Sequence, residues 1–328
     1  MPSALAALLL SAGFIYWACE YFVNGVEWLG RKAGISQTAV GTVLAAFGTA
    51  LPESVVTFVA VVFGHDEAAR NIGVGAALGG PLVLATIAYP LVGIMLLLTR
   101  SQPAGQPIRV NSDRLGRDQI WFLLIFACKI TLGFLVFSLK PWLGVLFLAA
   151  YALYTAYEVM HDADEPEGEL APLKFQSKAP NPGWSVICAQ TILATLVIFV
   201  ASRVFVSQLE VVGPWLGLPS TVVALLLSPV ATELPETMNA IIWIRQGKHR
   251  LALSNISGSM MIQATVPTAL GLFFTPWLFD EALTIAGLVT AVAIGGLLVL
   301  LRCNALTPRR LALFVVLYAV FAVGTWLI

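Results

Sequence analysis

Hydrophobic positions in this chain come in long runs rather than in stripes. Runs of about 20 residues carry a helix across a bilayer core about 30 Å thick. Ten occur: 4–29, 36–63, 71–99, 119–139 and 141–160, then 184–209, 219–244, 251–275, 281–301 and 308–328. They are too long for membrane strands, which need about 9–11 alternating residues. In lipid the remaining way to satisfy the backbone is the helix. The pattern therefore predicts an all-α polytopic membrane protein with ten transmembrane helices. The first run has no basic segment before it and is long, so it reads as a retained span and not a cleaved signal. Between the fifth and sixth runs, residues 161–183 carry Asp162, Asp164, Glu165, Glu167, Glu169, Lys174, Lys178 and four prolines. This predicts a solvated cytoplasmic linker between a first half at 1–160 and a second at 184–328.

Composition agrees with that class. Of 328 residues 59% are hydrophobic and 11% charged, against about 25% charged in soluble domains. Disordered, coiled-coil and ordinary cytosolic enzyme classes are excluded. Net charge is zero, so the information lies in placement. With the N-terminus outside, inside loops hold fourteen of the 18 Lys and Arg, outside loops hold Arg70 and Lys140, and Lys129 and Arg203 fall within spans. Basic residues stay on the cytoplasmic side, which predicts an inner (plasma) membrane protein with both termini outside, Ser112 inside and Gly64 outside. Cys19, Cys128, Cys188 and Cys303 form no CxxC pair and read as small apolar side chains.

The two halves are related. Sliding 18–53 onto 201–236 makes thirteen of 36 positions identical without a gap, including Phe22/Phe205, Glu27/Glu210, Gly30/Gly213, Gly34/Gly217 and Thr38/Thr221. The match ends in Thr-x-Leu-Pro-Glu: Thr49, Leu51, Pro52 and Glu53 against Thr232, Leu234, Pro235 and Glu236. Five spans per half is odd, so the duplicated half inserts upside down. Inverted five-helix repeats with shared elements at mid-membrane are a secondary-transporter signature.

A carboxylate deep in a span costs about 2.5–3.5 kcal/mol and marks a functional site. Proline frees a carbonyl one turn earlier, near Ala45, Gly48 and Thr49 in one half and Ser228, Ala231 and Thr232 in the other. Each half thus offers a carboxylate, a threonine hydroxyl and loose carbonyls, and two inverted halves form an all-oxygen cage. Hard cations such as calcium take six to eight such oxygens. Softer metals prefer thiolate and imidazole ligands, but His65, His161 and His249 lie in loops or at span ends and the cysteines read as small apolar residues.

The segments GTVLAAFGTALPESVV at 41–56 and LLLSPVATELPETMNA at 225–240 resemble the two α-repeats of the sodium/calcium exchanger family, the cation/calcium antiporter superfamily. GVGAALGGPL at 73–82 and ALSNISGSMMIQ at 252–263 resemble the second part of each repeat, its Gly-Asn-x-x-Gly-Ser helix. The repeat motifs thus cover 41–84 and 224–263. The resemblance implies the exchanger fold, with Glu53 and Glu236 as central cation ligands, Thr49 and Thr232 beside them, and Ser259 in the Gly-Ser position. It implies calcium export against sodium or protons by alternating access, with no cofactor beyond the transported cations.

The sequence departs from the pattern at several positions. The serine after the threonine is Ala50 in one half and Glu233 in the other. Ala76 replaces Asn and Gly80 replaces Ser in the first Gly-Asn-x-x-Gly-Ser helix, and a later polar position is Leu84 in one half and Gln263 in the other. The first half therefore reads as having lost ligands for several sodium ions. The third carboxylate, Glu233, leaves a surplus negative charge beside one divalent ion, which suggests a proton as counter-ion.

Outside the motifs, Glu20 and Arg203 occupy equivalent positions of opposite sign and could pair. Glu27 and Glu210 read as interfacial, Asn239 could orient Glu236, and Asn255 could cap a broken eighth helix. Lys129 has no evident partner. Residues 73–80 lack the strand and Lys-Ser/Thr ending of a phosphate loop, and no nucleic-acid partner is expected. Rival readings are exchange of magnesium or manganese on the same fold and, more remotely, an intramembrane enzyme or a channel. HExxH and Gly-x-Gly-Asp elements are absent, so the chain is expected not to be an enzyme.

Overall fold

The computed structural model describes residues 2–63, 67–160, 169–218 and 223–327, all of them helical or in turns and loops. Gly64 and its neighbours His65 and Asp66 lie outside the described residues. Helix α1 is Pro2–Ala33. Segment α2 runs 37–63: Gln37–Ala39, a π-helical stretch Val40–Ala45, then Ala46–Phe63. Segment α3 runs 67–98 and has its own π-helical stretch, Leu84–Ala88. Helices α4 (Ser112–Leu132) and α5 (Leu143–Met160) complete the first half. In the second half α6 is Trp184–Trp215. Segment α7 runs 223–245 as a π-helical stretch Val223–Leu227, then Ser228–Thr232 and Leu234–Arg245. Then come α8 (His249–Phe274), α9 (Glu281–Arg302) and α10 at 308–326. Among the described residues seven helices are long and apolar enough to cross a membrane. The other three segments, α2, α4 and α7, hold Glu53, Lys129, Glu233 and Glu236.

The same local devices recur in both halves. Gly34 and Gly217 take φ +66° and +80° just past the two 32-residue helices α1 and α6, a left-handed stop that glycine adopts without strain. A β-carbon on Gly30 would overlap Val40, and one on Gly213 would overlap Val223. Each long helix thus packs closely on the π-helical stretch that follows it. These devices account for three of the thirteen identities, Gly30/Gly213, Gly34/Gly217 and Val40/Val223.

Helices α1 and α6 pack together along their lengths. Helix α8 is the centre of the molecule, buried for most of its length and packed on α2, α3, α4, α5 and α7. Small residues permit the approach: a β-carbon on Gly258 would collide with the Thr42 carbonyl.

Several expectations are corrected. Helix α4 begins at Ser112 rather than 119, with the Asn111 side chain accepting from the Arg114 amide at 3.1 Å. Of the charges that read as a loop, Arg114 is buried with Nη2 2.7 Å from Glu158 Oε2, while half-exposed Arg117 lies 3.5 Å from Glu158 Oε1. Residues 169–183 are mostly exposed but touch α1 and α6 at a few points. Leu173 is buried, and Trp28 Nε1 donates to the Ala171 carbonyl at 2.9 Å. The Phe175 amide donates to Gln190 Oε1 at 2.8 Å. Glu20 pairs with Lys174 of this stretch at 2.8 Å and not with Arg203, which is exposed and lies over the Phe199 ring. Glu27 is not interfacial but buried, paired with Lys248 at 2.5 Å and accepting from Trp243 Nε1 at 2.8 Å.

Candidate cation site

Glutamates 53, 233 and 236 arrive from differently built elements. Glu53 sits inside the continuous helix Ala46–Phe63. In α7 the helix breaks: Ser228–Thr232 ends, Glu233 occupies the junction at φ −86° and ψ 8°, and Pro235 opens Leu234–Arg245. Glu236 therefore lies in the first turn of a helix, where the free amides and the dipole favour a negative charge. Exposure is 7% for Glu53, 0% for Glu233 and 1% for Glu236.

Gln263 of α8 joins the first two. Its Nε2 donates to Glu53 Oε2 and lies 2.9 and 3.0 Å from the two Glu233 oxygens. Its Oε1 has no hydrogen-bond partner among the described residues. The carboxyl groups of Glu53 and Glu233 are themselves within hydrogen-bonding reach of each other. Two carboxylates so placed need a proton or a cation between them.

Gly80 supplies the fourth wall. A β-carbon built there would stand 2.6 Å from Gln263 Oε1, 2.7 Å from Glu53 Oε1 and 2.8 Å from Glu233 Oε1. Three oxygens from α2, α7 and α8 thus converge on one point beside α3, and the missing side chain keeps it open. The loss of serine at position 80, which the sequence suggests is a lost ligand, makes room here.

The remaining expected ligands lie around this core. The Thr49 hydroxyl is beside the Glu236 carboxyl and donates to the Ala45 carbonyl at 3.2 Å. Glu236 Oε2 and the buried Ser259 hydroxyl have no hydrogen-bond partner among the described residues. Thr232 is half-buried and donates to the Pro229 carbonyl at 2.9 Å. No three carboxylate, imidazole or thiolate side chains close on a single ion among the described residues. Two carboxylates and an amide oxygen thus come together beside Gly80, with the Glu236 carboxyl nearby. Asn239 has no hydrogen bond to Glu236, and its amide has no partner among the described residues. Asn255 is buried, also unpartnered, within an unbroken α8 and caps nothing.

Lys129 is what the sequence reading missed. Its side chain is fully buried. Nζ donates to the Ala77 carbonyl of α3 at 2.5 Å and to the Gln263 carbonyl of α8 at 3.2 Å. The Phe126 and Trp277 rings lie 5.5 and 5.9 Å from it. Backbone carbonyls leave no sequence pattern, so only the lysine within an apolar run could have signalled this.

The family profile described as "Sodium/calcium exchanger protein" matches residues 3–160 and 186–327. "Putative antiporter CaxA" of Alkalimonas amylolytica is 25% identical over 287 residues, covering 86% of this chain and 84% of its own. "Sodium/calcium exchanger MaX1" of Methanosarcina acetivorans is 23% identical over 303 residues, covering 81% and 82%. The solved sodium-calcium exchanger NCX_Mj, soaked with sodium and calcium, superposes with a TM-score of 0.76 at 21% identity, over 97% and 96% of the two chains. That likeness is one of fold.

Proposed function

The chain belongs to the sodium/calcium exchanger protein family, and on that premise we propose that it exports calcium in exchange for sodium or protons. The cation is its cargo, held at the mid-membrane site of Glu53, Glu233, Glu236, Gln263 and Thr49. The observation that carries this reading is the convergence of the Glu53, Glu233 and Gln263 oxygens on one point beside Gly80. Such oxygens suit a hard cation. The amide nitrogen of Gln263 already lies between the two carboxylates as a positive partner. Its free Oε1 already faces the same point beside Gly80.

Exchange follows from competition. One divalent ion and its monovalent rivals cannot occupy the same carboxylates together, so the site returns loaded with one or the other. Alternating access would come from movement of the α1–α6 pair across the core of α2, α3, α7 and α8. Sodium as counter-ion is supported by the family and by the named exchanger relatives. A second reading, the proton, is favoured by the Glu53–Glu233 contact. We place the protein in the inner (plasma) membrane with both termini outside.

The test is calcium flux in sealed proteoliposomes with sodium and proton gradients imposed in turn. Calcium should accumulate against its gradient under at least one of them. Calcium movement that ignores both gradients would remove the exchange reading.

A further inference from the structure

Two loops meet at the end of the molecule that the charge rule predicts to be cytoplasmic. Residues 99–111 follow α3, and residues 303–307 join α9 to α10. The Ile108 amide donates to the Leu306 carbonyl at 2.7 Å and ties the loops together. Arg100, Arg109, Arg302, Arg309 and Arg310 lie in or beside them, and residues 99–111 and 302–310 contain no Asp or Glu. Buried Arg114 is matched by Glu158. These five arginines have no ion pair among the described residues.

An open cavity of about 420 Å³ lies between the loops, within the range of about 300–1,000 Å³ usual for small-ligand sites. Asn304, Thr307, Arg309 and Arg310 line one side, and the small residues Ala104 and Gly105 line the other. The Arg310 guanidinium is held in place by donating to the Ala305 carbonyl at 3.0 Å. The side chains of Arg309 and Asn304 are exposed and make no hydrogen bond among the described residues. Two guanidinium groups and an amide thus offer donors and positive charge that no protein group neutralises. Guanidinium forks match the oxygens of a phosphate.

The flanks of the cavity favour a lipid phosphate over a free anion. Beyond Arg309, α10 carries Leu313, Val316 and Val320 four, seven and eleven residues on, each more than half exposed. That spacing sets them on one face of a helix, and Phe314 between its two parts keeps helical angles. Helix α9 repeats the arrangement, with exposed Leu288, Val292 and Val299 leading to exposed Arg302. A cationic head above an apolar stripe is the outline of a phospholipid. A free anion makes no use of the stripe.

We propose that this cavity binds the phosphate of an anionic phospholipid whose acyl chains lie along α9 and α10. Basic pockets between helices at the cytoplasmic side take such headgroups. The bound lipid bridges the loop after α3 to the start of α10, where Gly93 of α3 packs closely on the Pro308 carbonyl and the Ala312 amide. The inference concerns lipid binding alone and does not depend on the exchange reading.

The test is native mass spectrometry of the purified protein in detergent with equal amounts of phosphatidylglycerol and phosphatidylcholine. Wild type should retain one phosphatidylglycerol in preference to phosphatidylcholine. Each arginine near an anionic headgroup contributes about 5-fold in affinity, so Arg309→Gln with Arg310→Gln should lose about 30-fold. Lys32→Gln with Lys178→Gln removes two charges elsewhere at the same end and should keep the preference. A thermal melt checks folding, and should the double variant fail to fold, Arg309→Gln alone should lose about 5-fold. The melt also separates the sources: phosphatidylglycerol should raise the melting temperature of wild type, and inorganic phosphate at equal concentration should not. Equal stabilisation by inorganic phosphate would assign the cavity to a free anion and overturn the proposal. So would a wild type without the preference, a folded arginine variant that keeps it, or a lysine control that loses it equally.

Discussion

At Gly80 one hydrogen in place of a β-carbon leaves three ligand oxygens free to converge. Adding the carbon tests that role directly. Gly80→Ala should abolish calcium transport while the purified protein keeps its melting temperature. Gly79→Ala, whose β-carbon would stand 3.3 Å from Pro229, should keep transport. Calcium uptake with a parallel thermal melt checks both, and normal uptake by Gly80→Ala would show that the cation binds elsewhere. Duplication made Glu53 and Glu236 legible in the sequence, because an intramembrane carboxylate behind a proline, found twice, has few bland explanations. Gln263 came only through the family resemblance. Lys129 read only as a lone charge and Gly80 only as a lost ligand, for physical reasons: one acts on backbone carbonyls far along the chain, the other by occupying no space.

At the scale of elements, α2, α4 and α7 combine polar load with irregular backbone. Val40–Ala45 and Val223–Leu227 are π-helical in equivalent places, and such bulges frequently accompany functional sites. The break at Glu233 has no counterpart in α2, although both halves carry Leu-Pro-Glu. The repeat is thus a pattern of sequence more than of local geometry. Equivalence also misled the pairing of Glu20 with Arg203. Pseudo-symmetry relates positions without making them neighbours, and Lys174 of the docked linker reaches Glu20 first. Where α4 meets α5, Arg114 and Glu158 form a buried pair, with Thr42 of α2 donating to the same carboxylate at 3.5 Å. Removing one partner of such a pair costs about 3–5 kcal/mol, and replacing both with apolar groups costs far less. Arg114→Met should therefore lower the unfolding free energy in detergent by about that amount, and Arg114→Met with Glu158→Leu should recover part of it. Chemical denaturation measures this. A single variant within about 0.5 kcal/mol of wild type would mean the pair contributes nothing.

Across the whole molecule, loops group by end in the way the basic residues divide. At one end the Ile108 amide donates to the Leu306 carbonyl at 2.7 Å, and Gln102 meets His249 at 2.9 Å. At the other end Lys140 reaches Pro276 and Trp277, and the Phe279 amide donates to the Gly133 carbonyl at 3.1 Å. Arginine and lysine crowd the first end, which the charge rule predicts to be the cytoplasmic one. In a background free of native cysteines, Ser138→Cys in intact cells should react with an impermeant thiol reagent, and Ser112→Cys should react only after permeabilisation. The reverse pattern would invert the orientation.

The central claim is that a divalent cation binds where Glu53, Glu233 and Gln263 converge. Equilibrium binding of radioactive calcium to the purified protein tests it most directly, for wild type, Glu53→Gln and the exposed control Glu210→Gln. Changing groups one shell removed from a metal costs about 10–100-fold in affinity, so losing a direct carboxylate should cost at least as much. The account predicts saturable calcium binding by wild type and Glu210→Gln, displaced by the coupling monovalent ion, and a loss of 10-fold or more in Glu53→Gln. Undiminished calcium affinity in a folded Glu53→Gln protein would contradict it.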